Sequence, residues 1–400
     1  MDAQSLYFDN NATTFVAPEA LASMLPYLQT SCGNPSSGHA LGNDAADALA
    51  LARSSVARLI GARSPREILF TSGGTECIHS AIHAARARNP KLRRIVTSQV
   101  EHPAVLEPLE QLEGDSGFEI VRVAVNSNGE LDVEQALQAI DENCALVSLQ
   151  WVNNEIGVIT SKDTLRAVGN RCREQGASFH VDAMQATGKL VMNVSELPLD
   201  MVSISAHKFH GPKGCGMLWV HGEFPFQALF RGGPQELDRR AGTENVPAIA
   251  GAGRAADLAR EFAADDSGQL KLTALRNDLE QRIRAALPDT HIHGGSANRV
   301  GSTASFGFPG ISGEAAVALL AEYGLAVSTG SACSSGRRGV SHVLAAMDVE
   351  ESVALGTLRF SLSRYTTPEA VAEAASLTVT AVEQLRALSP LVDSGVNKPN

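Results

Sequence analysis

The sequence predicts an α/β protein whose larger part is a mainly parallel sheet covered by helices, and three observations predict it. Between about residue 43 and residue 220, helix-like and strand-like segments alternate, as in a parallel sheet wrapped on both faces. Most of the strand-like segments end in polar residues. A long helical segment at Asn245–Phe262 closes this run, after which a helix, strand and helix pattern continues to residue 387 and reads as a smaller α+β part. A length of 400 residues is long for one core and short for three, so two domains are expected. The large one is assigned residues 16–255, and the small one residues 1–15 and 256–400.

Asp44–Ile60 is rich in Ala and Leu and reads as a helix. Arg66–Thr71 reads as a strand running into Ser72-Gly73-Gly74-Thr75-Glu76, a small-residue turn that opens the next helix. Arg94–Ser98, Glu119–Val123, Ala145–Gln150, Ser178–Asp182, Asp200–Ser205 and Cys215–Val220 complete a seven-stranded sheet. Ligands of wound sheets lie beyond the carboxyl ends of the strands. The strand-terminal Ser72, His102, Asn154, Asp182 and His207 are therefore expected to converge on one crevice.

Hydrophobic residues at 44% and charged residues at 19% describe an ordinary soluble globular chain. A net charge of -11 argues against nucleic-acid binding, which needs clustered Lys and Arg, so a small-molecule partner is expected. The start Met1–Ser5 lacks the basic and apolar parts of a signal peptide, and no apolar run reaches spanning length. No membrane contact and a cytoplasmic location follow as expectations. The six cysteines are scattered without a CxxC pair, which fits free thiols in a reducing compartment and argues against structural zinc.

The most specific chemical signal is Ser203–Gly214, with Lys208 between His207 and a Gly-Pro turn at a strand end. Such a lysine suits imine formation, with Ser205 and His207 gripping a phosphate; the plainer reading is a surface lysine. Asp182, just past an apolar strand, is placed to hold a pyridine nitrogen protonated or, alternatively, to cap a helix. Gly74 and Thr75 sit in a turn whose backbone N–H groups at a helix start form an anion site. Thr243, in Arg239–Asn245, completes that cup from a second subunit or caps a helix. His102 at its strand end stacks on a ring or moves protons, against a purely structural role.

A second centre is Val327–Gly336, where Cys333 lies in a run of small polar residues with Arg337-Arg338 behind it. Nothing there justifies a packed thiol, and the two arginines favour the thiolate; a passive loop cysteine is the alternative. Arg359, inside the strand-like Gly356–Ser363, needs an anionic partner, either a substrate carboxylate or a structural salt bridge.

These residues resemble the cysteine desulfurase family, the NifS/IscS class of the fold-type I pyridoxal-phosphate (PLP) enzymes, across nearly the whole chain. The resemblance runs through Tyr7–Thr14, Gly33–His39, Glu101–Pro103, Val152–Gly157, the lysine motif, Arg240–Asn245, Ser331–Ser335 and Arg359–Ser361. Residues 231–245 and 356–367 look nearer to the nitrogen-fixation type than to the housekeeping type. It implies PLP held covalently by Lys208, with phosphate contacts from Gly74, Thr75, Ser205, His207 and Thr243. It also implies ring contacts from His102, Asp182 and Gln185, Asn154 near the cofactor oxygen, and Asn34 and Arg359 on the substrate carboxylate.

The implied reaction takes L-cysteine to L-alanine, with sulfur passing to Cys333 as a persulfide for iron–sulfur cluster assembly. The implied assembly is a homodimer that hands sulfur to an iron–sulfur scaffold or another acceptor protein. No resident metal is implied; a passing contact of Cys333 with an iron–sulfur cluster stays open. Selenocysteine lyase, another fold-type I lyase or aminotransferase, and a non-catalytic sulfur-trafficking scaffold are the rival readings. The chain departs from the family pattern at Cys77-Ile78-His79 and at Asp238.

Overall fold

The computed structural model describes residues 6–330 and 339–388. Its first half delivers the alternation read from the sequence. Helices α1 (Pro18–Gln29) and α2 (Ala40–Ile60) precede strand β1 (Ile68–Thr71), then α3 (Gly74–Arg88), β2 (Arg94–Ser98), α4 (Pro103–Ser116) and β3 (Glu119–Val123). There follow α5 (Val133–Ala139), β4 (Cys144–Gln150), α6 (Lys162–Gln175), β5 (Ser178–Asp182), β6 (Met201–Ser205) and β7 (Gly216–Val220). These strands form a seven-stranded sheet in the order β1-β7-β6-β5-β4-β2-β3. The pairs β2–β3, β2–β4, β4–β5 and β5–β6 are parallel, while β7 runs antiparallel to both β6 and β1.

All seven residues of β4 are buried, as expected for a central parallel strand covered on both faces. One face rests on a cluster that includes Trp151, Phe179 and Trp219, the other on Ile78, Ile95, Leu146 and Leu218. Helix ends follow local chemistry. The Ser161 hydroxyl accepts the Thr164 N–H at the start of α6, and Gly176, with φ of 74°, ends it in the left-handed region, where a side chain would be strained.

The helix read at Asn245–Phe262 is α8 (Val246–Ala263), with Asn245 as its cap. It follows α7 (Gln235–Asp238), a single turn in which Glu236, Leu237 and Asp238 all have positive φ. Arg53 grips the Glu236 carboxylate through two nitrogens, each at 2.7 Å, and Phe70 N–H donates to it at 3.0 Å. That buried anchorage offsets the strain of the turn, and it accounts for Asp238 in a conformation that favours glycine.

Beyond α8 the chain continues through α9 (Asp266–Ala286), β8 (His291–Ile292), β9 (Thr303–Gly307), α10 (Gly313–Glu322), α11 (His342–Ala346), α12 (Glu351–Ala354), β10 (Thr357–Ser361) and α13 (Pro368–Leu388). Strands β8, β9 and β10 form a second, antiparallel sheet over a core of Phe306, Phe308, Phe360, Leu279 and Val371. Leu6 and Phe8 belong to that core too. The following residues, Asn11–Thr14, cross to the large sheet: Asn11 N–H donates to Ser361 Oγ at 2.8 Å, and Thr14 N–H to the His207 carbonyl at 2.9 Å. This strap ties both sheets together at the carboxyl ends of the large one. None of the described helices is long and apolar enough to cross a membrane.

Candidate active site

Beyond the carboxyl ends of β2, β4, β5 and β6 lies a cavity of about 240 Å³. His102 follows β2, Gln150 ends β4, Asp182 ends β5, and His207 and Lys208 follow β6. Strand ends in a wound sheet place these groups on one rim because every crossover returns the chain in the same direction. The strap supplies Asn11 and Ala12, the second sheet Arg359, and α3 its first residues Gly74 and Thr75.

Lys208 Nζ donates to the carbonyls of Asn11 at 2.6 Å and Ala12 at 2.9 Å. The Asp182 Oδ1 accepts the Met184 N–H at 2.9 Å. Burial raises this carboxyl to about 6, opposed by the nearby Lys208 ammonium. His102 Nδ1 accepts the Ala104 N–H at 3.0 Å and so caps α4. Its pKa falls to about 4 through burial first, then Lys208 and His342. His207 is lowered to about 4 by burial, Lys208 and Lys213. Both imidazoles are therefore neutral at neutral pH.

Arg359 is buried in β10. It donates from Nη1 to the Asn154 carbonyl at 3.0 Å and from Nη2 to Asp9 Oδ1 at 2.9 Å. The structural salt bridge thus exists, yet the side chain also lines the cavity, and its Nε has no partner among the described residues. A buried guanidinium with an unmet donor is costly and suits an incoming carboxylate.

Of the residues singled out in the sequence, the cavity brings together Gly74, Thr75, His102, Asn154, Asp182, Gln185, His207, Lys208 and Arg359. Ser205 sits behind this wall, its Cβ 3.7 Å from where a Cβ on Gly74 would lie. Its buried Oγ has no partner among the described residues. Asn34, Ser72 and Thr243 are exposed and outside the lining, and the Asn34 Oδ1 accepts the Ser36 N–H at 2.9 Å. Cys333 lies outside the described residues. At the departure from the family pattern, Cys77 is buried with its sulfur 3.0 Å from Thr71 Oγ1, so it acts as a small core residue under the turn.

Sequence reasoning missed Lys189, Glu155 and His342. Lys189 Nζ donates to Asn11 Oδ1 at 2.8 Å and to Gln185 Oε1, and burial, Lys208 and Arg359 lower its pKa to about 7. Glu155 and His342 line the cavity directly. No strand or turn signal marks the lysine or the histidine; Lys189 reaches Gln185 and the strap, and His342 is brought in from the second part of the chain.

Residues 6–373 match the class-V aminotransferase family. The chain belongs to that family. It is 47% identical over 387 residues to a cysteine desulfurase of Cereibacter sphaeroides, covering 97% of this chain and 98% of the relative. It is 44% identical to a cysteine desulfurase of Klebsiella pneumoniae, covering 99% and 97%. Among solved structures, a NifS-like protein superposes with a TM-score of 0.87 at 35% identity, covering 96% of this chain and 100% of that one. The structure described as SspA in complex with cysteine superposes with a TM-score of 0.78 at 32% identity, covering 90% and 99%. The fold is that of the fold-type I PLP enzymes, and the cofactor of the family is PLP. The donor set fits it: an amine, a buried carboxylate, and an unpartnered buried hydroxyl beside the amino end of α3.

Proposed function

We infer that the chain is a PLP-dependent cysteine desulfurase that converts L-cysteine to L-alanine and passes the sulfur to Cys333 as a persulfide, for iron–sulfur cluster assembly. The observation that carries the reading is the meeting of Lys208, Asp182, His102 and Arg359 in one cavity within a chain 47% identical to a cysteine desulfurase.

Bound there, the cofactor supplies an electron sink that weakens bonds at the substrate Cα and Cβ. Lys208 is the amine that would anchor it covalently and would carry the substrate's Cα proton. Asp182 would keep the pyridine nitrogen protonated, and Gln185, Asn154 and His102 would hold the ring. Gly74, Thr75, Ser205 and His207 hold the phosphate through N–H and hydroxyl donors, joined by Thr243 of the partner subunit. A homodimer is consistent with the exposed apolar Leu21, Leu25 and Leu28 on α1, which offer a surface to bury. Arg359, with Asn154, binds the substrate carboxylate bidentately. The Cys333 thiolate attacks the substrate sulfur as a tethered nucleophile. An iron–sulfur scaffold or another acceptor protein then takes the sulfur. The described cysteines are free thiols, which suits a cytoplasmic setting.

The test is an absorbance scan with borohydride fixation, followed by mass spectrometry of the Cys333 peptide after cysteine addition. Wild type should show a chromophore fixed to Lys208 and a persulfide on Cys333. Cys333→Ala should keep the chromophore and lose the persulfide with at least a ~100-fold fall in alanine formation. A fully active Cys333→Ala enzyme would refute the sulfur-transfer role and favour a lyase.

A further inference from the structure

Three histidines line the cavity, His102, His207 and His342, and for His102 and His342 a backbone partner decides which nitrogen carries the proton. His102 Nδ1 accepts the Ala104 N–H at 3.0 Å, so in the neutral ring Nε2 holds the hydrogen. With its pKa lowered to about 4, His102 is neutral at neutral pH and is a poor base.

His342, the first residue of α11, is held the other way round. Its Nε2 lies 2.8 Å from the Glu101 carbonyl oxygen. A carbonyl only accepts, so Nε2 is the donor and the neutral ring keeps its lone pair on Nδ1. The wall that presents it is firmly built. Its neighbour Ser341 donates from Oγ to Glu155 Oε2 at 2.6 Å, and the Glu155 backbone is fixed by Asn153 Oδ1, which accepts its N–H at 2.8 Å. Among the described residues, the charged and titratable groups around His342 are Glu155, Glu101 and His102, with Asp182, His207, Lys208 and Arg359 across the cavity.

We propose that His342 is the proton carrier of the desulfuration step: Nδ1 takes the S–H proton of the bound cysteine as its sulfur is transferred, then returns that proton to Cβ. The proposal rests on the desulfurase reading above. In the substrate the S–H and Cβ–S bonds break. An S–S bond to the Cys333 thiolate and a Cβ–H bond form, which completes the methyl group of alanine. Cβ is reduced by the two electrons that sulfur loses in becoming a persulfide, so no outside oxidant enters. An imidazole is the side chain suited to moving one proton between two such sites near neutral pH.

His342→Gln separates this role from a structural one, because the Gln amide still donates to the Glu101 carbonyl but has no titratable nitrogen. Wild type is first assayed for alanine and persulfide; if it forms neither from cysteine, the desulfurase reading itself fails. With wild type active, the variant should lose about 10²-fold or more in kcat for cysteine and the acid limb of the kcat–pH profile. It should still bind L-alanine, which lacks the thiol, within about twofold of wild type by cofactor absorbance. Retention of kcat within about threefold, with the acid limb intact, overturns the proposal. So does loss of alanine binding in step with turnover, which marks a wall residue only. Should the Gln variant fail to fold, His342→Asn is read by the same three measurements.

Discussion

Two histidines at the carboxyl side of the same sheet, His180 within β5 and His102 just beyond β2, live under opposite rules. His180 is fully buried, with Nδ1 2.9 Å from Ser148 Oγ on β4 and Nε2 2.8 Å from Ser203 Oγ on β6. Both of its nitrogens are spent on cross-strand partners, and burial lowers its pKa to about 3. Around His102, beyond the end of β2, the accounting is left open. Glu101 Oε2, Ser205 Oγ and Arg359 Nε are buried without partners among the described residues. The sheet interior is a finished polar network and the rim an unfinished one, which is what separates a scaffold from a site that must receive ligands.

The comparison breaks first at His180. Replacing it with Ala deletes the shared partner of Ser148 and Ser203 and opens a void in a fully buried layer. A loss of about 3 kcal/mol in unfolding free energy is expected from urea titration. Specific activity per folded molecule should stay close to wild type, since His180 does not line the cavity. A stability loss under about 1 kcal/mol would mean the two serines re-pair without it.

Ser205 is the mirror case. Its hydroxyl has no partner among the described residues to lose, so Ser205→Ala should leave the cofactor-free protein as stable as wild type or slightly more so. Its cost should appear only in cofactor retention, as about a tenfold rise in the PLP dissociation constant, about 1.4 kcal/mol. A variant that loses stability in the cofactor-free form while binding PLP normally would move Ser205 from the rim to the scaffold.

The same contrast explains what could be read from the sequence. The seven strands were legible because each is a short, largely apolar run, and most of them end in polar residues. Asp182, His207 and Lys208 were legible because a strand end has only one place to go in a wound sheet. The helix at Asn245–Phe262 was legible as a long Ala-rich segment, and the structure adds Asn245 as its cap. The rim contributions from other elements were not legible. His342 is brought to the cavity by the packing of the second sheet's helices, at a sequence distance where periodicity carries no information, and Lys189 sits behind the wall, on Gln185 and the strap residue Asn11. Asn34 and Thr243 carried motif signals, yet the cavity of one chain does not include them. For Thr243, exposure on the surface is the geometry that a role across a subunit boundary requires.

The most diagnostic change reads the unfinished rim directly through pH. Glu101 accepts Ser98 Oγ at 2.6 Å and the Gln150 N–H at 3.0 Å, both through Oε1. Burial outweighs those bonds and raises its pKa to about 8, with the nearby Asp182 adding to the rise. In the unfolded chain a glutamate titrates near its ordinary ~4.3. Between that value and about 8 the native state therefore binds the extra proton. Its contribution to stability is fully present below the unfolded pKa and is lost as pH rises through the window. Glu101→Gln keeps an Oε1 acceptor for Ser98 and Gln150 and removes the titration. The variant's Tm should match wild type within about a degree at pH 4.5 and exceed it by a few degrees at pH 8.5. Equal gaps at both pH values would show that the carboxylate finds a partner at the rim, and the distinction between the two layers of the sheet would narrow to that extent.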